Sequence, residues 1–416
     1  MHKKKRRKIK YKSFMVLFGI ILIPLFIILI SSKGETKKEI ITPDVIISYV
    51  GKDISTLETL LKDEKIKINK EYEYSKDYEE NKIISTELKD DILNVIISKG
   101  LINDEVYREK KVNELGNVPI MMYHGIVDTE ENKYTGGNVD KDGYNRTANA
   151  FRKDLEFYYE KGYRMVRLSD YAKGIIDVPL GLSPIIITFD DGNKNNFHVL
   201  GRNSDGTLNI DPNCAIGILE EFKKKHPDAN VTATFFVMSN LFNQKDYDEE
   251  ILNWLVDHGY DVGNHTTIHA DFTTISTDKT QEVVGKMYEK LDSILKDKYV
   301  KILALPFGSP YKKSHANYPY ILNGTYNGKA YETEVALRVG WEPEVSPFNK
   351  DFDKTFLKRV RAYDNNGKEF DIEMCFKNLE KNRYISDGNS KMITIPSKSN
   401  SKLNSEYTNV YTYSEE

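Results

Sequence analysis

Short apolar runs alternate with longer amphipathic stretches from Val118 to about Lys398. The apolar runs have the length of buried strands, and the stretches between them place apolar residues at helical spacing, as Ile218, Leu219 and Phe222 do. The pattern predicts an α/β fold whose helices lie outside a parallel sheet or barrel, with chemistry on the loops at the carboxyl ends of the strands. The predicted strands are Val118–Tyr123, Pro184–Phe189, Val231–Val237, Tyr260–Gly263, Ile302–Leu305 and Met392–Ile395, and the predicted helices are Ala150–Lys161, Ala215–Lys225, Glu249–His258 and Lys279–Leu295.

The N-terminal segment has a different pattern. Eight basic residues between Lys3 and Lys12 precede an uncharged run of 17 residues from Phe14 to Ile30. This run is at the short end of what crosses a bilayer and is longer than a usual signal-peptide core. Because basic residues stay on the cytoplasmic side, we expect residues 1–33 to be a single-pass membrane anchor with the rest of the chain outside the cell. A cleaved signal peptide is the alternative.

Residues 43–100 predict a small α+β module. A helix is expected over Ser55–Asp63, capped by Ser55, and strands over Lys82–Ser85 and Ile92–Ser98. The module resembles a PASTA repeat, a wall-binding unit of penicillin-binding proteins and bacterial kinases; a plain spacer domain is the alternative. The pieces that carry this resemblance are Pro43–Val45, Gly51–Ile54, Lys82–Ser85 and Val95–Gly100. Residues 101–117 are expected to form a helical linker, and residues 399–416 a flexible tail.

Two motifs that follow predicted strands carry candidate chemistry. Asp190 and Asp191 end an apolar strand, where a divalent metal bound by one carboxylate would relieve their repulsion and leave the other free as a base. His265 and His269 are spaced so that both imidazoles can reach one metal if the chain makes a helical turn after its strand. Each motif alone has an ordinary alternative, since Asp-Gly pairs are common in turns and His-x-x-x-His often occurs by chance.

Together, Thr188–Gly192 and His265–His269 resemble the first two motifs of the polysaccharide deacetylases with a nodulation-deacetylase homology domain, carbohydrate esterase family 4. The resemblance covers about Val118 to Lys398. It implies a distorted (β/α) barrel that removes acetyl groups from polysaccharides. It also implies that Asp190 is the general base and that Asp191, His265 and His269 bind a divalent metal, usually zinc.

The third family motif corresponds to Leu305–Gly308, where Pro306, Phe307 and Gly308 form a turn whose backbone N–H would bind the oxyanion. Two features depart from the common family pattern. Ala304 stands where an arginine usually braces the catalytic aspartate, and Ile393–Pro396 lacks the histidine that usually supplies the general acid. A barrel that has lost turnover is one interpretation.

A second interpretation comes from Pro119–Ile126, which includes His124 and resembles the opening strand of the poly-N-acetylglucosamine deacetylases of biofilm formation. In that branch the barrel order is permuted, the first strand carries the acid histidine and the bracing arginine is absent. The resemblance implies that His124 is the general acid. A packed strand-end histidine is the alternative, and His315 is a spare candidate acid.

Several residues beyond the third motif are weaker candidates. Trp341 is expected to stack on a sugar ring, although packing accounts equally well for aromatic residues in this region. The other aromatic residues considered there are Tyr311, Tyr318 and Phe348. Arg359 and Arg361 alternate on an expected strand, and either could orient a catalytic carboxylate.

Charge and cysteine content narrow the function classes. Residues 1–33 hold nine of the 60 basic side chains and no acid, so the remainder carries 51 basic against 63 acidic side chains, a net charge of −12. A body this acidic is a poor partner for nucleic acid. Two cysteines, Cys214 and Cys375, exclude a cysteine-rich zinc module or a disulfide scaffold, but an extracellular location would permit them to pair.

Three functions remain open on the sequence alone. The first is a metal-dependent N-deacetylase acting on N-acetylglucosamine-containing glycan, either peptidoglycan or exopolysaccharide. The second is a wall-binding scaffold without turnover. The third is an O-acetyl polysaccharide esterase, which would use the same site.

Overall fold

The chain divides into two compact units, residues 1–101 and 102–416. The computed structural model describes residues 41–89, 92–128 and 139–416 of them. The predicted anchor at 1–33 therefore lies outside the described residues. In the described ranges, no helix is both long enough and apolar enough to cross a membrane.

Over residues 41–89 and 92–101, the first unit is a three-stranded sheet with two short helices. Its elements are α1 (Pro43–Ile47), α2 (Ile54–Leu61), β1 (Lys67–Ser75), β2 (Ile83–Lys89) and β3 (Ile92–Leu101). Strand β3 lies between the other two, parallel to β1 and antiparallel to β2. Helix α2 begins one residue before the predicted Ser55, and the carboxylate of Asp53, not the Ser55 hydroxyl, caps it by accepting from the Ser55 N–H at 3.0 Å.

The second unit contains the remaining elements. Its strands are β4 (Ile120–Tyr123), β5 (Gly125–Val127), β6 (Asn145–Thr147), β7 (Tyr163–Met165), β8 (Ser183–Phe189), β9 (Val199–Arg202), β10 (Leu208–Ile210), β11 (Thr234–Val237), β12 (Asp261–Asn264), β13 (Ile302–Ala304), β14 (Asn323–Tyr326), β15 (Lys329–Glu332), β16 (Val335–Leu337), β17 (Val360–Arg361), β18 (Ile393–Pro396) and β19 (Val410–Tyr413). Its helices are α3 (Asp104–Lys110), α4 (Ala148–Glu160), α5 (Leu168–Tyr171), α6 (Ala215–Lys225), α7 (Asp248–Asp257), α8 (Thr277–Leu295), α9 (Tyr318–Leu322) and α10 (Ile372–Leu379).

One parallel sheet forms the centre of this unit, which confirms the predicted α/β class. Its strand order is β16-β13-β12-β11-β8-β4-β17, with β7 paired to the first part of β8. All residues of β8 are buried, as expected for a parallel strand covered on both faces. The two end strands approach each other, since Leu337 in β16 forms a parallel bridge with Leu357, three residues before β17. All carboxyl ends of the strands therefore lie on one side of a curved sheet.

The C-terminal part of the chain differs from the prediction. Met392–Ile395 was expected in the main sheet, but Ile393–Pro396 pairs in parallel with Val410–Tyr413 in a separate two-stranded sheet. Residues 399–416 are therefore not a flexible tail over their whole length. The physical reason is the side chain of Tyr413, which is buried and donates through Oη to the Val112 carbonyl at 2.7 Å.

Of the segment 101–117, predicted as a linker, residues 102–117 are part of the second unit. It contains the expected helix, α3, but Glu114 beyond it is buried and accepts from the Thr394 N–H at 2.7 Å and the Tyr384 hydroxyl at 2.8 Å. The charged composition of this segment favoured an exposed linker, so these buried contacts could not be predicted from the sequence. Cys214 and Cys375 are both buried free thiols, so they do not pair in this fold.

Candidate active site

Two strands of the main sheet, β8 and β12 on either side of β11, place the sequence motifs together. Strand β8 ends at Phe189, so Asp190 and Asp191 follow it directly. Strand β12 ends at Asn264, immediately before His265. Because parallel strands end on the same side of a sheet, these side chains meet above it.

The three predicted metal ligands lie together. Asp191 Oδ1 is 3.3 Å from His265 Nε2 and 3.6 Å from His269 Nε2. One donor atom from each residue lies within 4.8 Å of the others. The imidazole rings of His265 and His269 meet edge to face, with centroids 4.9 Å apart. Two imidazoles and one carboxylate around a common point match the donor set of open, catalytic divalent-metal sites.

The buried side chain of His265 gives a direct test of whether a metal fits. Its Nδ1 lies 2.8 Å from the Ala304 carbonyl, which fixes Nδ1 as the protonated nitrogen and leaves Nε2 with a lone pair. Nε2 is buried and has no hydrogen-bond partner among the described residues. A buried ring nitrogen aimed at a carboxylate and a second imidazole is satisfied by a cation, so the site fits a metal. The Ala304 side chain cannot brace Asp190, but the Ala304 backbone carbonyl orients the His265 ring.

Asp190 is held by an arginine from the far end of the sheet. Arg359 Nη1 and Nη2 donate to Asp190 Oδ1 and Oδ2, each at 2.7 Å, and neither side chain is more than 2% exposed. This is the two-pronged geometry that favours arginine over lysine. The sequence offered Arg359 and Arg361 as equal candidates for this contact, and only the fold distinguishes them.

His124 follows β4, the neighbour of β8. Its Nε2 is 4.0 Å from Asp190 Oδ2, and its Nδ1 is 3.1 Å from the Gly143 carbonyl. The side chain is 10% exposed. His315 is engaged elsewhere, accepting from the Asn317 N–H at 3.2 Å.

The charges of the site explain its protonation. Burial opposes ionisation of Asp190, but Arg359 and the nearby imidazoles outweigh it and hold the pKa of Asp190 below its usual range. Burial also opposes ionisation of Asp191, whose pKa is nevertheless lowered by the neighbouring His265 and His124 imidazoles. Burial lowers the pKa of His124, against the attraction of both carboxylates. Asp190 is therefore a carboxylate beside an imidazole that releases its proton easily.

The Pro306–Gly308 turn follows β13 and identifies one backbone donor. The Gly308 N–H already donates to the Leu305 carbonyl at 2.8 Å. The Phe307 N–H has no acceptor among the described residues, so it is free to donate to a ligand. A glycine is required at Gly308, since its φ is +69° and a Cβ there would lie 2.8 Å from the Val339 backbone nitrogen.

Left-handed backbone occurs at four non-glycine residues of these loops. Asp191, Thr266, His269 and Phe307 have φ values of 78°, 63°, 52° and 58°. Non-glycine residues adopt this region at a cost, and such residues cluster at functional sites. Three of the four are predicted metal or oxyanion residues.

The aromatic candidates separate by exposure. Trp341 is 49% exposed, whereas Phe348 and Tyr318 are 6% and 4% exposed and belong to the interior. Sequence reasoning missed Tyr144, which is 52% exposed and contacts the His124 ring at a centroid distance of 5.3 Å. A tyrosine twenty residues after the histidine gave no periodic or motif signal.

The comparisons with known proteins agree with the motifs. Residues 178–319 match the family model described as polysaccharide deacetylase, which includes Asp190, Asp191, His265, His269 and the Pro306–Gly308 turn. His124, Arg359 and Trp341 lie outside the matched residues. No curated protein matches the chain.

Solved deacetylase structures align with 60% to 64% of this chain at low identity. Streptococcus pyogenes deacetylase PplD is 17% identical with a TM-score of 0.45, covering 64% of this chain and 98% of its own. A de-N-acetylase from Aggregatibacter actinomycetemcomitans is 13% identical with a TM-score of 0.40, covering 63% and 99%. The BpsB deacetylase domain from Bordetella bronchiseptica is 11% identical with a TM-score of 0.37, covering 60% and 96%.

The family match, which spans the strand-end motifs, carries the assignment. The chain therefore contains a polysaccharide deacetylase domain, and the predicted enzyme class, a polysaccharide deacetylase, is confirmed.

Proposed function

We propose that this protein is a zinc-dependent hydrolase that removes acetyl groups from N-acetylglucosamine units of a polysaccharide at the cell surface. One observation carries the proposal. The Asp190 carboxylate is fixed by Arg359, has His124 Nε2 4.0 Å away, and directly precedes Asp191, which groups with His265 and His269 within 4.8 Å. An unligated base beside an imidazole acid and a metal-binding set is what amide hydrolysis requires.

Asp191, His265 and His269 would hold the metal. When bound, a divalent cation polarises an acyl carbonyl and makes water more acidic. The donor set of two imidazoles and one carboxylate is one that catalytic zinc accepts. Metal supply decides which of several divalent ions fills such a site in the cell.

The protein groups divide the remaining chemistry. Asp190 accepts a proton from the water whose oxygen attacks the acetyl carbon. The Phe307 N–H donates to the oxygen that gains charge as the tetrahedral centre forms. His124 donates a proton to the glucosamine nitrogen as the carbon–nitrogen bond breaks, so that the products are acetate and a free amine. Arg359 keeps the Asp190 carboxylate oriented throughout.

The rest of the chain would bring this site to its polymer. We place residues 1–33 in the membrane and the second unit outside the cell, because the basic block before the apolar run favours that orientation. The module at 43–100 follows this segment along the chain, and PASTA-like wall binding by it fits a glycan partner. Protease treatment of intact cells that carry a fluorescent tag at the C terminus of the protein tests the orientation. The fluorescence should be lost if the second unit lies outside the cell.

Acetate release tests the function. The full-length protein with zinc should release acetate from an N-acetylglucosamine oligomer, and chelator should abolish the release. Asp190→Asn should lower kcat by at least about 100-fold because no base remains. Asp257→Asn, which removes an exposed carboxylate that pairs with Lys298 at 2.9 Å, is the matched control and should leave kcat unchanged.

The same assay separates the alternatives. Faster release from O-acetylated xylan than from the N-acetylated oligomer would favour the esterase. Wild-type activity in Asp190→Asn, or glycan binding without acetate release at any metal supplied, would contradict the proposal.

A further inference from the structure

A second arginine lies at the mouth of the site between two exposed rings. Arg361 ends β17, two residues beyond the buried Arg359. Its guanidinium carbon is 5.5 Å from the ring centroid of Tyr144 and 5.8 Å from that of Trp341. Both rings are about half exposed, at 52% and 49%. Stacking between two aromatic faces holds a guanidinium in one plane and leaves its N–H edges available.

The N–H groups of Arg361 are not used by the protein. Within the described residues, Arg361 makes no ion pair or side-chain hydrogen bond, whereas both Nη atoms of Arg359 are used by Asp190. Nearby acids have other partners. Asp364 lies 2.6 Å from Arg146, and Glu342 lies 3.3 Å from Lys358.

The position of Arg361 is coupled to that of the proposed acid. The Gly143 carbonyl lies 3.1 Å from His124 Nδ1, and a Cβ at Gly143 would lie 3.2 Å from Arg361 Cδ. The Arg361 side chain therefore packs on the same backbone that orients His124, while the Tyr144 ring contacts His124 directly. Because His124 is proposed to protonate the glucosamine nitrogen, the sugar would lie on this side of the site.

We propose that Arg361, held by Tyr144 and Trp341, binds an oxyanion carried by the glycan next to the acetylated sugar. The ligand is a carboxylate or a phosphate ester, both of which match the N–H edges of a guanidinium. This rests on the proposed function and narrows its substrate to an anionic polymer. Residues 34–416 carry a net charge of −12, which repels an anionic polymer. An unpaired arginine supplies the local positive charge that binding such a polymer requires.

The test compares three N-acetylglucosamine-containing oligomers of equal length with the full-length protein. One is neutral, one carries a lactyl ether carboxylate and one carries a phosphate ester. Arg361→Gln should lower kcat/KM about tenfold on the anionic oligomer that the wild type prefers, through KM, because one charge-assisted contact is lost. The loss on the neutral oligomer should be smaller, because that substrate carries no oxyanion for Arg361 to bind. Preference for one anionic oligomer over the other identifies the oxyanion.

Arg383→Gln is the matched control. Arg383 also lies over a tyrosine ring, at 5.5 Å from Tyr163, and donates to the Lys161 carbonyl at 2.8 Å, outside the proposed site. It should affect no substrate. Equal losses on neutral and anionic oligomers in Arg361→Gln would overturn the proposal. A wild-type protein that prefers neither anionic oligomer over the neutral one would also overturn it.

Equilibrium binding separates this proposal from the proposed function. The affinity of the catalytically blocked Asp190→Asn protein for the anionic oligomers should fall with salt and with the added Arg361→Gln change. If the wild type releases no acetate but shows this dependence, the deacetylase proposal fails and the anion subsite stands. If acetate is released and binding does not depend on Arg361, the subsite fails alone.

Discussion

Arg359 contributes to the site through Asp190 and contacts no reacting atom in the proposed mechanism. Its guanidinium is buried, and both Nη atoms donate to the same carboxylate. The Arg359 Nε also donates to the Arg338 carbonyl at 2.9 Å, which fixes the direction of the side chain. Arg359 is thus a positioning residue that fills the role left open at Ala304 from a different strand.

Arg359→Gln should lower kcat with little change in KM, because the substrate does not touch Arg359. The variant should also lose about 3–5 kcal/mol of unfolding free energy, since Asp190 becomes an unpaired buried charge. Steady-state kinetics and urea unfolding measure the two effects. Arg359→Lys keeps the charge but not the two-pronged contact and should recover stability more than kcat. Parallel recovery of both quantities would contradict a role in orientation.

Glu114 links the N-terminal part of the second unit to β18 and should give stability a pH dependence. Burial and the nearby charge of Asp387 raise the pKa of Glu114 to about 8, from 4.5 in an ordinary environment. The folded state therefore retains a proton that the unfolded chain releases above about pH 4.5. The contribution of Glu114 to the free energy of unfolding is therefore complete below about pH 4.5 and is lost as the pH rises toward 8.

Glu114→Gln removes this titration. The Tm of the wild type should fall relative to that of the variant between pH 5 and pH 8, by about 2–4 °C for each kcal/mol involved. Differential scanning calorimetry across this range measures the difference. Glu380→Gln, at an exposed glutamate paired with Lys161, is the control. A Tm difference between wild type and Glu114→Gln that stays constant with pH would show that Glu114 does not titrate as argued.

At the scale of elements, the bounds of a helix or strand were predicted most accurately where its buried residues also follow a regular pattern along the sequence. Helix α6 has the predicted bounds, Ala215–Lys225, because its apolar residues repeat on one face. Strand β8 was predicted within one residue because every position is apolar or small and buried. Strand β16 was not predicted, and β17 was expected only around Arg359 and Arg361 without bounds, because three and two residues are too few to show a period.

The same limit explains which site residues the sequence could find. Asp191, His265 and His269 follow predictable strands, so their proximity could be inferred from the order of motifs and strands along the chain. Arg359 could be named only as one of two equivalent candidates, because residues two apart on a strand share a face. The distinction depends on β17 pairing with β4, a contact between segments about 240 residues apart along the chain.

Strand β19 provides a prediction at the element scale, since its alternate residues differ in burial. Tyr413 is 3% exposed and Tyr411 is 39% exposed. Tyr413→Ala should cost about 3 kcal/mol of unfolding free energy because it removes a buried ring and its hydrogen bond to Val112. Tyr411→Ala should cost about 1 kcal/mol or less. Urea unfolding gives both values, and equal small losses would mean that 399–416 is flexible after all.

At the scale of the whole molecule, the two units have separate hydrophobic cores. In the first, the buried apolar residues are Ile46, Leu57, Leu61, Ile83, Leu93, Val95 and Ile97, all before residue 101. The core clusters of the second unit begin at Tyr107 and draw no residue from the first. A unit that buries its own apolar surface has the main requirement for folding alone.

The fragment 102–416 should therefore fold cooperatively and release acetate from a short, soluble oligomer within about twofold of the full-length rate, since every proposed site residue lies in it. Circular dichroism and acetate assays measure these outcomes, with the full-length protein as the control. Retention on insoluble cell-wall glycan should fall in the fragment if the module at 43–100 binds that polymer. A folded fragment without activity on the short oligomer would show that the first unit contributes to catalysis, whereas unchanged retention would reduce the module to a spacer.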